Sequence, residues 1–341
     1  MGGVHRFAGE RLLHVPPRAF EAFDRFPAMA DSRDRLLELL ARPHRGDEVS
    51  AIVESDVALT MAVLRRANRA VGSSVTNVPD AVATLEDAEL ESVARGVEVF
   101  GFFERDRPVN GAPERVNAHA RLTCQATQEV ATRIGEDRIP ELRAIALLHD
   151  AGKVVLAEVV PGYPEAVHGD SRTPDEWLQR ERRSLGTDHA EVGGQLAEHH
   201  GLPPALASGL AEHHSEGHGP AAVIRLADLL AHYQQGDPIK PERALAAGLA
   251  LGIAREGLGK LMYALTFPLR AARAAGRPCP LSSRELEVLR GLASGKVAKQ
   301  IALDLEVTVS TVRNHLHRIY GKIGTNDRAQ AVLTAARQGW I

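Results

Sequence analysis

Between Val309 and Ile323 the apolar residues Val312, Leu316, Ile319 and Ile323 recur at helical spacing and form one narrow stripe. The opposite side carries Ser310, Arg313, Asn314, His317 and Arg318, which are donors and cations with no acid among them. A helix with one buried face and one cationic, amide-bearing face suits a DNA major groove. It also suits an ordinary protein surface, so its neighbours decide. Upstream, Ser282-x-x-Glu285 is a capping box that starts a helix with Leu286, Leu289 and Leu292 inward, ended by Ser294-Gly295. A second helix, about Val297 to Leu305, buries Ala298, Ile301, Ala302 and Leu305. Thr308 is expected to cap the third helix, which ends at Gly324, and a fourth runs from Asn326 to Gln338 with Gly339 as its C-cap.

The same periodicity governs the rest of the chain. From Phe26 to about Arg107 the apolar patches Leu36/Leu37/Leu39/Leu40, Val49/Ile52/Val53 and Leu59/Met61/Val63/Leu64 are helical, with a loop at Gly72–Pro79. No alternating run is long enough to predict a sheet. Asn110-Gly-Ala-Pro113 separates this bundle (26–110) from a second helical set (114–266) that ends in a helix near Leu258–Leu265. Residues 1–25, with the breaker Pro16-Pro17, are expected to be loosely structured, and the Pro- and Arg-rich stretch 267–280 reads as a linker before a last domain at 281–341. The expected fold class is all-α.

Composition sharpens this in two places. The chain of 341 residues has a net charge of −3, but residues 281–341 hold nine Lys/Arg against five Asp/Glu and so carry +4, leaving −7 for the rest. An acidic body with a basic terminal domain fits a nucleic-acid-binding appendage. No apolar run approaches the roughly 18 to 20 residues that span a bilayer. The N-terminus lacks the apolar core of a signal peptide, and Cys124 and Cys279 make neither a disulfide framework nor a paired metal spacing. A cytoplasmic protein without membrane partners is expected. Cys124, on an apolar helical face, reads as a core residue.

The terminal domain resembles the LuxR-type helix-turn-helix family. The resemblance is carried by Leu281-Ser-Ser-Arg-Glu-Leu-Glu-Val-Leu289, Gly295–Ala302, Thr311-Val-Arg-Asn-His315, Ile319-Tyr-Gly-Lys322 and Asn326–Ala331. Ser283 replaces the common proline, and Val309 is more apolar than usual. The resemblance implies four helices, reading of double-stranded DNA by the third and homodimerisation through the fourth. Arg313, Asn314 and His317 are expected to face bases, with Lys299, Thr308, Ser310, Thr311 and Lys322 completing the DNA contacts.

The middle of the chain is rich in histidine. Adjacent His149 and Asp150, in Ala144–Lys153, lie about 100° apart on a helix, within reach of one cation. Lys153, one turn on, can meet a phosphate. His119, His189, the His213-His214 pair and Asp228 surround this dyad in sequence, and neutral imidazoles with carboxylates suit a divalent metal ion. His199, His200 and His218 read as surface or loop histidines.

This order of residues resembles the HD superfamily of metal-dependent phosphohydrolases, and the stretch from about Pro27 to Leu265 is more similar to its HDOD branch. The marks are Ile52–Thr60, Leu64-Arg-Arg-Ala-Asn68, Leu147–Lys153, His189-Ala-Glu-Val-Gly193, Gly201-Leu-Pro203 and His213-His214. Glu86, Arg69 and His200 depart from that pattern, and Gly162-Tyr-Pro164 is not the cyclic-dinucleotide phosphodiesterase signature, which follows a His-His pair. The resemblance implies a signalling or regulatory domain in a branch where many members lack the metal ligands. This chain keeps a potentially complete set: His119, His149, Asp150, His189, His213, His214 and Asp228. Three functions follow as expectations. The domain senses a small molecule, a metal state or a protein and controls the DNA-binding output. Alternatively it hydrolyses a phosphate ester, with Lys153 as a catalytic residue, or it serves only docking and dimerisation.

Overall fold

The computed structural model describes residues 13–100, 113–217, 219–266, 279–293, 296–305, 307–323, 331, 335 and 340. The chain divides into two compact units, Met1–Thr266 and Phe267–Ile341, and the described parts of both are helical, with one two-stranded exception.

The first unit opens with α1 (Pro17–Phe20), which has proline in its first turn, followed by a 3₁₀ turn at Phe23–Arg25. Residues 17–25 are therefore ordered, which corrects the expectation of loose structure through residue 25. The reason is apolar burial, since Ala19, Phe20 and Phe23 belong to the main core. β1 (Ala28–Met29) then leads into α2 (Ala30–Leu40), α3 (Gly46–Val53), α4 (Val57–Val71), α5 (Val78–Thr84) and α6 (Asp87–Gly96). β2 (Val99–Phe100) returns to pair in parallel with β1, a ladder too short for alternation to reveal.

Two polar residues fix this half. Asp56, fully buried, caps α4 by accepting from Ala58 and Leu59 N–H at 3.0 and 3.1 Å, and its other oxygen accepts from Met29 N–H at 2.7 Å. Asn68 donates to the carbonyls of Leu64 and Val75 and accepts from Val75 N–H, each at 2.9 Å, so one buried amide shapes the loop after α4.

The second half holds α7 (Pro113–Ile134), α8 (Ile139–Leu148), α9 (Ala151–Val159), α10 (Glu165–His168) and α11 (Pro174–Leu185). α12 (His189–His199), α13 (Pro204–Ala211), α14 (Pro220–Gln235), α15 (Pro241–Ala250) and α16 (Arg255–Thr266) complete it. Several of these helices carry proline at the first or second position, where the missing N–H costs nothing. α8 is buried all round through Leu142, Ala144, Ile145, Ala146, Leu147 and Leu148, so it runs through the core and delivers His149 and Asp150 into the interior. Asn117 of α7 accepts from Val57 N–H at 2.8 Å, joining the two halves through a buried hydrogen bond.

The second unit contains α17 (Ser283–Ala293), α18 (Ala298–Asp304) and α19 (Val309–Ile323) around Val288, Leu289, Leu292, Ile301, Ala302, Val312 and Ile319. The capping box forms: Glu285 Oε2 accepts from Ser282 N–H at 2.7 Å, and Ser282 Oγ from Glu285 N–H at 3.3 Å. Of the expected fourth helix only Ala331 and Ala335, both buried, are described, and the linker at 267–278 lies outside the described residues, as does His218. Among the described residues no helix is long and apolar enough to cross a membrane.

A candidate metal centre and a candidate DNA-reading helix

In the first unit, six helices and the turns at their ends aim histidines and carboxylates at one buried spot. α7 supplies His119, and the α8–α9 turn supplies His149 and Asp150. α12 begins with His189, the segment after α13 carries His213 and His214, and α14 carries Asp228. Gly152 permits this convergence. A Cβ there would overlap the backbone carbonyl of His189 and stand 2.7 Å from Gly193 N, so only glycine lets α9 and α12 touch.

The tautomers are set from outside the cluster. His149 Nδ1 donates to Ala146 O at 2.8 Å, and His213 Nδ1 donates to Leu210 O at 2.7 Å. His189 Nδ1 donates to Glu181 Oε2 and His119 Nδ1 to Gln235 Oε1, both at 2.7 Å. In the neutral form of each ring the lone pair would therefore sit on Nε2, which faces inward. His119 Nε2 stands 3.0 Å from Asp228 Oδ1, and His149 Nε2 lies 3.5 Å from that oxygen and 3.6 Å from Asp150 Oδ1. His189 Nε2 lies 3.4 Å from Asp150 Oδ1 and 3.0 Å from His214 Nε2.

Lone pairs and carboxylates aimed at one another repel unless a proton or a metal cation lies between them. His149 Nε2 and His213 Nε2 are buried and have no hydrogen-bond partner, so the residues present fit a metal ion. Within each of two groups, His119/His149/Asp150 and His189/His213/His214, one ligand atom per residue lies within 4.8 Å of the others. Burial pushes the Asp150 and Asp228 carboxyls up, but the Lys153 ammonium and nearby imidazoles for Asp150, and the His232, His119 and His149 imidazoles for Asp228, outweigh it and hold both well below the usual carboxylate range. Burial, aided by neighbouring rings, lowers His213 to about 3 and His214 well below the usual value, which keeps both neutral and able to ligate.

Each sequence-predicted ligand thus reaches the cluster. Lys153 donates one of its three ammonium hydrogens to Asp150 Oδ2 at 2.7 Å. Two participants lie outside the predicted set. Glu181 on α11, fully buried, accepts from His189 and also from Tyr163 OH and His168 Nε2, both at 2.8 Å. His232 on α14 stands 3.4 Å from Asp228 Oδ1, one turn after it, a spacing visible in the sequence. His200 is corrected from a surface to a buried histidine, because its Nδ1 meets Arg65 at 3.2 Å on the packed side of α12. Cys124 is buried as expected, and burial pushes its thiol up to about 11.

In the second unit Thr308 Oγ1 accepts from Thr311 N–H at 3.1 Å and caps α19. Val312 and Ile319 are buried, while Ser310, Arg313, Asn314, His317 and Arg318 are exposed on the other side. Thr308 and Lys299 are exposed as well, and Thr311 is half-buried. Lys322 donates to Glu285 Oε2 at 2.7 Å and ties the end of α19 to the start of α17.

A family model for the HDOD domain matches residues 26–216, and one for bacterial regulatory proteins of the luxR family matches residues 279–335. The terminal unit is similar to the probable transcriptional regulatory protein NarL of Mycobacterium tuberculosis, 48% identical over 66 residues that cover 19% of this chain and 31% of that protein. It is also similar to the uncharacterized transcriptional regulatory protein YxjL of Bacillus subtilis, 48% identical over 62 residues covering 18% of this chain and 28% of that one. The chain thus spans less than a third of the length of these curated relatives. Among solved structures, the MmoQ response regulator of Methylococcus capsulatus aligns with a TM-score of 0.56 at 20% identity, covering 71% of this chain and 99% of that one. A virulence factor of Campylobacter jejuni aligns with a TM-score of 0.54 at 14% identity, over 73% and 94% of the two chains. These two likenesses concern the fold alone.

Proposed function

Because the chain belongs to the HDOD-domain family and ends in a domain of the LuxR type, we propose that it is a transcription regulator in which the HDOD unit controls a DNA-reading output. The observation that carries this reading is α19: a helix capped at Thr308, with Val312 and Ile319 buried and the uncompensated donors Arg313, Asn314 and His317 exposed. Arginine and asparagine read guanine and adenine edges in the major groove, and an exposed helix N-terminus accepts a backbone phosphate. Double-stranded DNA is the partner, bound as a homodimer whose two-fold symmetry matches a palindromic site. Binding of the full chain to fragments of its own genome across a salt series tests the reading. A fragment retained at physiological salt with at least 10³-fold preference over bulk DNA supports it; none retained rejects it.

The input, in this proposal, is divalent metal bound within the cluster of His119, His149, Asp150, His189, His213, His214 and Asp228. The orphaned Nε2 atoms of His149 and His213 support that assignment. A bound ion supplies Lewis acidity or a one-electron redox couple. The protein's own part is to fix the tautomers through Ala146 O, Leu210 O, Glu181 and Gln235, and to hold Asp150 ionised with Lys153. The same ligand set favours a second reading, hydrolysis of a phosphate ester. Turnover of a phosphoester panel by the metal-loaded chain, abolished in His149→Ala, separates hydrolysis from sensing.

A further inference from the structure

His232 lies beyond residue 216, where the HDOD match ends, and outside the ligand order that the sequence resemblance implies. It follows Asp228 by one turn of α14, so both side chains leave the same face of the helix. The ring is buried and has two well-defined sides. Nδ1 lies 2.8 Å from Asp237 Oδ2, an acceptor, and so carries the proton. Nε2 stands 3.4 Å from Asp228 Oδ1, and His119 Nε2 approaches the same oxygen at 3.0 Å. The rings of His119 and His232 are 4.4 Å apart at their centroids.

With Asp237 and Gln235 accepting the two Nδ1 protons, His119 and His232 present two lone pairs to one carboxylate oxygen. That arrangement is repulsive by itself and attractive around a cation. Ligand atoms held about 2.1 Å from a common ion at right angles stand about 3.0 Å apart, close to the separations found here. One ligand atom from each of His119, Asp228 and His232 lies within 4.8 Å of the other two, a grouping that shares His119 with one described above. We infer that His232 is a metal ligand that completes, with His119 and Asp228, the coordination of a divalent transition-metal ion. Two imidazoles and a carboxylate select that class over calcium or magnesium. Asp237 is the positioning residue, holding the ring in the ligating tautomer.

The inference rests on reading the histidine cluster as a metal centre, and the test separates the two. The full-length chain, stripped of metal, is titrated with Co(II), and binding is followed by visible absorption and elemental analysis. The wild type is expected to bind Co(II) about 10- to 100-fold more tightly than His232→Gln. Asp237→Asn is expected to weaken Co(II) binding in the same direction, by about 10-fold. Circular dichroism reports whether each variant folds. Should His232→Gln fail to fold, Asp237→Asn at the half-exposed position carries the test alone. Equal affinity in wild type and in every variant that folds overturns this inference and leaves the metal centre standing. A wild type that takes up no Co(II) overturns both.

Discussion

Glu181 Oε2 accepts from His189 twice, from its backbone N–H at 3.0 Å and from its Nδ1 at 2.7 Å, which aims the Nε2 lone pair at Asp150. A buried carboxylate thus sets the orientation of a ring that belongs to the next helix. Glu181→Gln keeps an acceptor but removes the charge. It is expected to weaken metal binding about 10- to 100-fold, measured by competition with a chelator of known affinity. Unchanged affinity would relegate Glu181 to a purely structural part.

Gly152 is where α9 and α12 touch, and its position admits no side chain. Gly152→Ala forces the two helices apart and is expected to destabilise the first unit by at least about 1 to 3 kcal/mol, with loss of metal. Denaturant unfolding of the full chain measures this. A midpoint shift below about 0.5 kcal/mol would contradict the close approach.

Glu285 links acidity to the stability of the terminal unit. Burial raises its carboxyl, but the hydrogen bonds from Lys322 and Ser282 prevail and hold it at about 2 against an ordinary 4.5. A folded-state value below the unfolded one adds stability that is fully present above about 4.5 and is lost as pH falls toward 2. Glu285→Gln is expected to lower stability at neutral pH and to flatten its decline between those limits, as read by hydrogen exchange of residues 283–323. An identical acid profile in the variant would remove the Glu285–Lys322 pair from the account.

The exposed face of α19 predicts two separable losses. Arg313→Ala or Asn314→Ala is expected to cost about 1 to 3 kcal/mol of discrimination at one base position. Lys299→Ala is expected to weaken all sequences alike and reduce the salt slope by about one. Lys322→Ala should act through stability, because its ammonium is engaged by Glu285. A competition binding assay over single-base variants of a retained fragment distinguishes these patterns.

What the sequence reveals follows from how local each signal is. The capping box at Ser282–Glu285 and the stripe of Val312 and Ile319 stand where their spacing implies, whereas the His149-Asp150 dyad, read as part of one helix, forms the turn between α8 and α9. Glu181 could not be read, since Gln179-Arg-Glu-Arg-Arg183 looks like a solvated charged face and only tertiary packing buries its central acid. His232 differs, because its one-turn spacing from Asp228 is visible in the chain but acquires meaning only when α7 brings His119 alongside. Lys322 was legible as a cation but not as the partner of a residue 37 positions away. The N-terminal Phe20 and Phe23 follow a proline pair that suggests a break, yet their rings are covered by the core.

The central claim is that the metal-bearing unit governs the DNA-reading one, and DNA affinity measured with and without metal tests it most directly. The full chain is titrated against a retained genomic fragment, once loaded with metal and once stripped by a chelator, at one fixed salt concentration. The account predicts that the two Kd values differ by about 5- to 150-fold, the range of ordinary allosteric coupling. Equal Kd values in a chain shown to gain and lose its metal would contradict it.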